Sequence, residues 1–286
     1  MKKTDYTSHE VCSFDQLLKL RKQFCRGWIF RGAKGPDLKT SLEKACDRFK
    51  IDLQHDKGLR KGQGSPKLEQ KLILEFKRRY HFYARYVPRD NDYLEWLALM
   101  QHHGAPTRLL DWTYSLFVAT YFAIAESHPT ETEKSVIWAL DSCWMEKCAK
   151  SVVGEKLIED FDRNRSGESF VNLFMNKSPK RFVFTSNPTK FNERLTMQQG
   201  LFLCPGNAYE PFEANLLEFN NVKKHLHGIM ICKECQHDII WELARMNIDR
   251  ATLFPGLDGF AHSLKTRIKA LNDTPMLLPD LYGCFS

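Results

Sequence analysis

Arg31 stands at the end of an apolar run, in Trp28-Ile29-Phe30-Arg31-Gly32-Ala33-Lys34-Gly35. An arginine there is held by a buried backbone and offers a planar five-donor fork, which suits bidentate contact with a phosphate or a carboxylate. Gly32 and Gly35 leave room for a ligand to approach the main chain. The competing use of Arg31 is structural, as partner of an internal carboxylate such as Asp111. Further along, the segment LMQHHGAPTRLLDWTYSLFVATYFA (Leu99 to Ala123) sets Gln101, His102, His103, Thr107, Arg108, Asp111, Thr113 and Ser115 among apolar residues. Polar groups beside Leu109, Leu110, Trp112 and Phe117 are costly to bury alone, so they must satisfy one another or a ligand.

The elements that position these groups follow from spacing. Residues 108–112 read as a strand, and Thr113 or Ser115 caps a helix that runs through Ala125, whose first N–H groups favour an anion. Ala119, Ala123 and Ala125 give that helix a thin face for close packing. Asp111 is either the internal partner of Arg108 or Arg31, or a carboxylate free for chemistry. Helices are expected over 11–24, 67–85, 92–102, 233–246 and 258–268, and a loop over 53–66. Strands are expected at 28–30, where Arg31-Gly32 ends the run, and at 135–140, 182–185, 201–203 and 227–232. Short strands mixed with helices, without regular βαβ alternation, predict an α+β protein. No linker separates two halves, so we expect one domain over 1–286. Its motif-bearing core lies at about 28–265, behind a leading helix within 1–25 and ahead of a C-terminal tail at 266–286.

Three motifs then point together. Phe30-Arg31-Gly32, QHHGAPTRLLDWT (Gln101 to Thr113) and RLTMQQGLF (Arg194 to Phe202) resemble the FRG-domain family, whose likeness covers nearly the whole chain. The family's layout in turn resembles the ADP-ribosyltransferase superfamily, which implies a split, mixed or antiparallel β-sheet core flanked by helices. By that likeness NAD is the substrate, bound by Arg31, Gly32, Gln101, His103, Thr107, Arg108, Thr113 and Ser115. Arg31 grips its pyrophosphate, and Gln198 or Gln199 takes the third-strand position that many transferases give to a glutamate. Asp111 and His102 complete the catalytic set, Asp111 by stabilising an oxocarbenium-like state and His102 or His103 as base. The resemblance also implies a toxin or anti-phage effector with an antitoxin or regulator as partner. A pocket that senses a nucleotide or nucleic acid without turnover is the alternative. A nuclease built on His102, His103 and Asp111 ranks last, because no clustered carboxylates are evident for a metal pair.

Composition bounds the acceptor and the compartment. The formal net charge is +7, and residues 57–90 interleave Lys77, Arg78, Arg79 and Arg85 with Tyr80, Phe82, Tyr83 and Tyr86. Such a stretch suits a polyanion with stackable bases, which favours nucleic acid over protein, or else it is a solvated helix face. No run of ~20 apolar residues is present to span a bilayer, and no apolar stretch follows Lys2 and Lys3, so we expect no signal peptide and a cytoplasmic protein. The 9 cysteines are odd in number and scattered, which reads as free thiols. His225, His227, Cys232, Cys235 and His237 include one Cys-x-x-Cys but no second cluster, so we expect no metal.

Overall fold

The computed structural model describes Lys2 and residues 5–54, 65–84, 86–125, 135–165, 167–190 and 192–264. In chain order it opens with β1 (Thr7–Val11), α1 (Phe14–Arg21), β2 (Trp28–Lys34), α2 (Ser41–Phe49), α3 (Ser65–Tyr80) and α4 (Tyr93–His102). Then come β3 (Leu110–Thr113), α5 (Leu116–Ile124), β4 (Ser135–Asp141), α6 (Ser142–Val153), α7 (Glu155–Arg163) and α8 (Gly167–Phe174). The remainder is β5 (Val183–Thr185), α9 (Glu193–Met197), β6 (Gly200–Pro205), α10 (Phe212–Leu217), α11 (Val222–His225), β7 (Leu226–Ile231), α12 (Gln236–Arg245) and α13 (Arg250–Leu253). A last helical stretch covers residues 257–264.

The strands form one mixed sheet in the order β1-β7-β4-β2-β3-β6-β5, with β1 parallel to β7 and every other pairing antiparallel. The protein is therefore α+β, with helices on both faces. One face buries Phe30, Ile137 and Ile229 under α1, α5 and α12. The other buries Ile29, Trp138, Leu110 and Leu203 under α3, α4 and α6 to α8. Alternation along each strand produces this division, since successive side chains point to opposite faces.

The middle of the sheet is where its two halves barely touch. β2 pairs with β4 along its whole length, from Trp28↔Asp141 to Lys34↔Ser135, yet it meets β3 at the single pair Phe30↔Thr113. Beyond that pair the strands diverge.

Several expectations change. β2 does not stop at Arg31 but runs on to Lys34, because β4 pairs with every residue of it. α3 ends at Tyr80, where Phe82 and Tyr83 N–H turn back to the carbonyls of Arg79 and Tyr80. β1 was not expected: Thr-Ser-His-Glu-Val is a polar edge strand with only Val11 fully buried, too weak an alternation to read. Cys12 and Cys232 are not free thiols but a disulfide, with Cα atoms 4.9 Å apart. They follow directly on the paired residues Val11 and Ile231, and parallel pairing sets them side by side. The expected loop lies outside the described residues over 55–64, as do Arg85 and the expected helix beyond residue 264.

Candidate functional site

Arg31 fills the gap where β2 and β3 part. Its Nη1 donates to the Asp111 carbonyl at 2.6 Å, where a continued ladder would have placed a backbone N–H. Its Nε is buried and meets no acceptor. Burial pushes the guanidinium pKa down and the nearby Asp111 carboxylate opposes the shift, but an arginine stays charged under all ordinary conditions. Across β4, Arg31 is paired with Trp138 on the same face of the sheet. On the other side, Trp112 precedes Thr113, the β3 residue that pairs with Phe30. The indole N–H groups of Trp112 and Trp138 are also buried without an acceptor. Arg31, Trp112 and Trp138 thus each hold a buried side-chain N–H without an acceptor, and buried donors are rarely left so.

The end of α4 supports the same place. Gln101 Oε1 accepts from Thr107 Oγ1 at 2.6 Å and from Ser41 Oγ at 3.2 Å, while its Nε2 donates to Asp111 Oδ2 at 2.7 Å. Two hydroxyl donors and one carboxylate acceptor fix the sense of this amide. Thr107 is buried, and it ties the segment to α2 through Ser41 Oγ and the N–H of Leu42. Asp111 thus has its carboxylate aimed by Gln101 and its carbonyl occupied by Arg31, while its side chain stays exposed.

His102 is half-buried, and its carbonyl accepts from Arg194 Nη1 at 3.3 Å. Burial lowers its pKa, and His103 and Arg194 lower it further, so the imidazole is neutral and able to take a proton near pH 7. His103 is exposed, its ring edge-on to that of His102 at 4.8 Å. Arg194 on α9 and Arg250 on α13 both lie over the Phe254 ring, at 4.4 and 4.3 Å. Burial and then Arg250 depress the Arg194 pKa, and Asp111 opposes them. Arg194, Arg250 and Phe254 were not singled out as site residues from sequence, although Arg194 sits inside the third motif.

Other expected site residues lie elsewhere or are used by the fold. Arg108 is a core residue. Its Nε donates to Glu69 Oε2 at 2.7 Å and its Nη1 to the Phe174 carbonyl at 3.0 Å, and the pair is 3% and 0% exposed. Buried to this degree, its guanidinium presents no open side to a ligand. Gly32 does not face a ligand either: a Cβ there would lie 2.0 Å from the Ala119 carbonyl and 2.5 Å from the Ala123 N, so the thin face of α5 occupies that space. Thr113 Oγ1 donates to the Gln198 carbonyl at 2.7 Å and accepts from the Ser115 N–H. Ser115 caps α5 by accepting from the Val118 N–H. Gln198 Nε2 donates to the Leu253 carbonyl at 3.0 Å, and Gln199 is exposed with a left-handed backbone, φ 46°. Gly200 makes room for Leu195 of its own chain, 2.5 Å from where a Cβ would be.

In the basic stretch, Lys77 is taken up internally. Its Nζ donates to the Asp90 carbonyl and lies over the rings of Tyr93 and Trp96 at 5.2 and 5.3 Å. Arg78 and Arg79 are exposed and paired with Glu75, and Arg85 lies outside the described residues. His225 pairs with Asp141 at 3.0 Å, His227 with His9 at 2.9 Å, and Cys235 donates to the Cys232 carbonyl. Among the described residues, no helix is long and apolar enough to cross a membrane.

No curated protein and no solved structure matches the chain. The family model of the FRG domain matches residues 26–132, the stretch that holds Arg31, Gln101, Thr107 and Asp111.

Proposed function

We propose that this chain is an NAD-dependent ADP-ribosyltransferase that modifies a macromolecule, with nucleic acid rather than protein as acceptor. One observation carries the reading: at the split of the sheet the Arg31 Nε is buried without an acceptor, and the indole N–H groups of Trp112 and Trp138 are buried without one too. A ligand that satisfies such donors must bring acceptors, and the pyrophosphate and carboxamide oxygens of NAD are acceptors with negative or partial negative charge. Arg194 and Arg250 add positive charge on the Phe254 side.

The chain's own residues then divide the work. Arg31 holds the pyrophosphate and Asp111 faces the ribose. As the bond from the anomeric carbon to nicotinamide breaks, its electron pair goes to the ring nitrogen and cancels that nitrogen's charge. The positive charge left on the ribose is met by the Asp111 carboxylate, which Gln101 aims. The acceptor atom bonds to the anomeric carbon from the opposite face and gives its proton to His102, which is neutral near pH 7.

A second reading has its own support. Gln198, in the position implied for the third-strand residue, already spends its amide on the Leu253 carbonyl, which favours a pocket that binds NAD without turnover. The two readings separate in one experiment. Protein in excess over NAD labelled in its adenylate half is mixed with DNA, RNA or a protein extract, and nicotinamide release is followed through one turnover. The transferase reading expects release matched by label in the nucleic-acid fraction. Binding of NAD with no release in any mixture leaves the sensor.

A further inference from the structure

The turn after α3 and the residues beyond it hold rings that the core does not bury. Tyr80 points inward, 5.4 Å from both Phe76 and Trp96. Immediately beyond it, Phe82 and Tyr83 are 73% and 84% exposed, the two most exposed aromatic rings among the described residues. Tyr86 follows at 52%. The turn is anchored, since Phe82 and Tyr83 N–H bond to Arg79 and Tyr80 carbonyls at 3.0 and 2.9 Å. Burial elsewhere cannot explain rings held out in water on a fixed turn, and a clustered exposed patch of this kind marks an interaction surface.

The charge around the rings says what the partner is. Arg78 and Arg79 lie in the preceding helical turn, 68% and 61% exposed. Lys190 comes from a distant part of the chain, its Nζ 4.2 Å from the Tyr86 ring centre and 2.9 Å from its hydroxyl. Cations beside open ring faces match a polyanion whose units have π-faces of their own. Bases present those faces only where they are unpaired, and stacking them on aromatic side chains with cations along the backbone is how single strands are bound without sequence preference. Chemistry on a base requires the same state, because a paired base cannot reach a cleft.

We propose that Phe82, Tyr83 and Tyr86, rimmed by Arg78, Arg79 and Lys190, form a stacking platform for single-stranded nucleic acid. The platform rests on the reading above that nucleic acid is the acceptor, and it is independent of the transfer step. α4 sets its distance from the cleft. The helix starts at Tyr93, under Lys77 and close to the platform, and ends at Gln101 and His102 beside Asp111. Ten residues of helix span ~15 Å, a gap that a few nucleotides of extended strand cover. A strand stacked on the platform thus delivers a downstream base to the cleft.

The test is fluorescence anisotropy with the full chain, in the absence of NAD, using labelled oligothymidylate and a duplex of equal length. The single strand is expected to bind more tightly than the duplex. The double variant Phe82→Ala/Tyr83→Ala, whose thermal melt should match wild type because both rings are exposed, is expected to weaken single-strand binding tenfold or more. Arg78→Gln/Arg79→Gln is expected to flatten the log–log salt dependence by about 0.7 for each phosphate that the variant no longer neutralises. Duplex binding equal to or tighter than single-strand binding overturns the platform, as does indifference to the ring variant. Ring-dependent binding to phosphatidylserine vesicles in place of the oligonucleotide assigns the surface to a lipid and overturns it too. Because NAD is absent, the outcome is separate from the transfer reading. Intact single-strand binding without nicotinamide release defeats the transferase alone, and transfer onto nucleic acid by a fully active ring variant defeats the platform alone.

Discussion

At Arg31 one guanidinium has two parts in different states: Nη1 bonds across the split in the sheet, and Nε is buried without an acceptor. Arg31→Lys keeps the charge and loses the fork, so it separates the two. The proposed pyrophosphate contact is charge-assisted and directional, and its loss should weaken NAD binding by roughly 1.5–3 kcal/mol in a calorimetric titration. Unchanged affinity would mean that charge alone suffices and that the unpaired Nε is not part of the site. Asp111→Asn asks a different question of the neighbouring residue. The amide oxygen still accepts from Gln101, so geometry survives while the charge goes. If Asp111 meets the ribose cation, single-turnover nicotinamide release should fall ~10²-fold or more with NAD affinity little changed, the pattern of an interaction made only in the transition state. A matched fall in affinity would make Asp111 a binding residue instead.

Elements in contact show which polar residues serve the fold. The buried Arg108–Glu69 pair joins the loop before β3 to α3, and removing one partner strands the other charge in the core. Arg108→Met should destabilise the protein by about 3–5 kcal/mol in urea, and adding Glu69→Leu should recover most of it. Failure of the double variant to recover would mean that the Phe174 carbonyl contact matters more than the charge. Glu43 on α2 gives a pH signature. Burial pushes its carboxyl up to about 7, against hydrogen bonds from Phe212 N and Thr40 that hold the anion. A folded pKa above the unfolded 4.5 means that the folded state binds the proton more tightly. Its contribution to stability is therefore greatest at low pH, and falls as pH climbs from about 4.5 to 7, by ~3 kcal/mol for a shift of this size. Urea titrations at about pH 5 and pH 8 should show this loss in wild type and not in Glu43→Gln. The sequence made α4, β3 and α5 legible because their polar and apolar residues are dense and local, and Ser115, Gln101 and Thr107 pair within or next to that segment. Arg108 reads the same way in sequence as Asp111, three residues on, and nothing local tells which of the two faces the core. Arg194, Arg250 and Phe254 escaped because their meeting joins α9 to the stretch around α13, a contact that no local pattern records.

Across the whole molecule, the strand order is the part that sequence conceals. β1 lies beside β7 at the sheet's edge, so the first of the described strands is held by the last of them. Local periodicity can identify strands such as β4 and β7, but pairing across such a separation leaves no periodic trace, and the cysteines read as isolated thiols for the same reason. Their bond closes a loop of sequence separation 220. Closing a loop that long removes unfolded-state entropy equivalent to ~5 kcal/mol in the chain-entropy account. The ladder from Thr7↔His227 to Val11↔Ile231 already docks β1, so the native structure is expected to survive reduction and the stabilisation to come from the unfolded chain. Alkylation of denatured, unreduced protein should leave two of the nine cysteines unmodified, and a reductant should open them. The urea midpoint should then drop on reduction. Cys12→Ser should start at that lower midpoint and ignore the reductant, while circular dichroism of the folded state stays the same in all three. A fully alkylated unreduced protein would show that the ladder alone holds β1, and an unchanged midpoint would show that the unfolded chain is already confined enough for the link to add nothing.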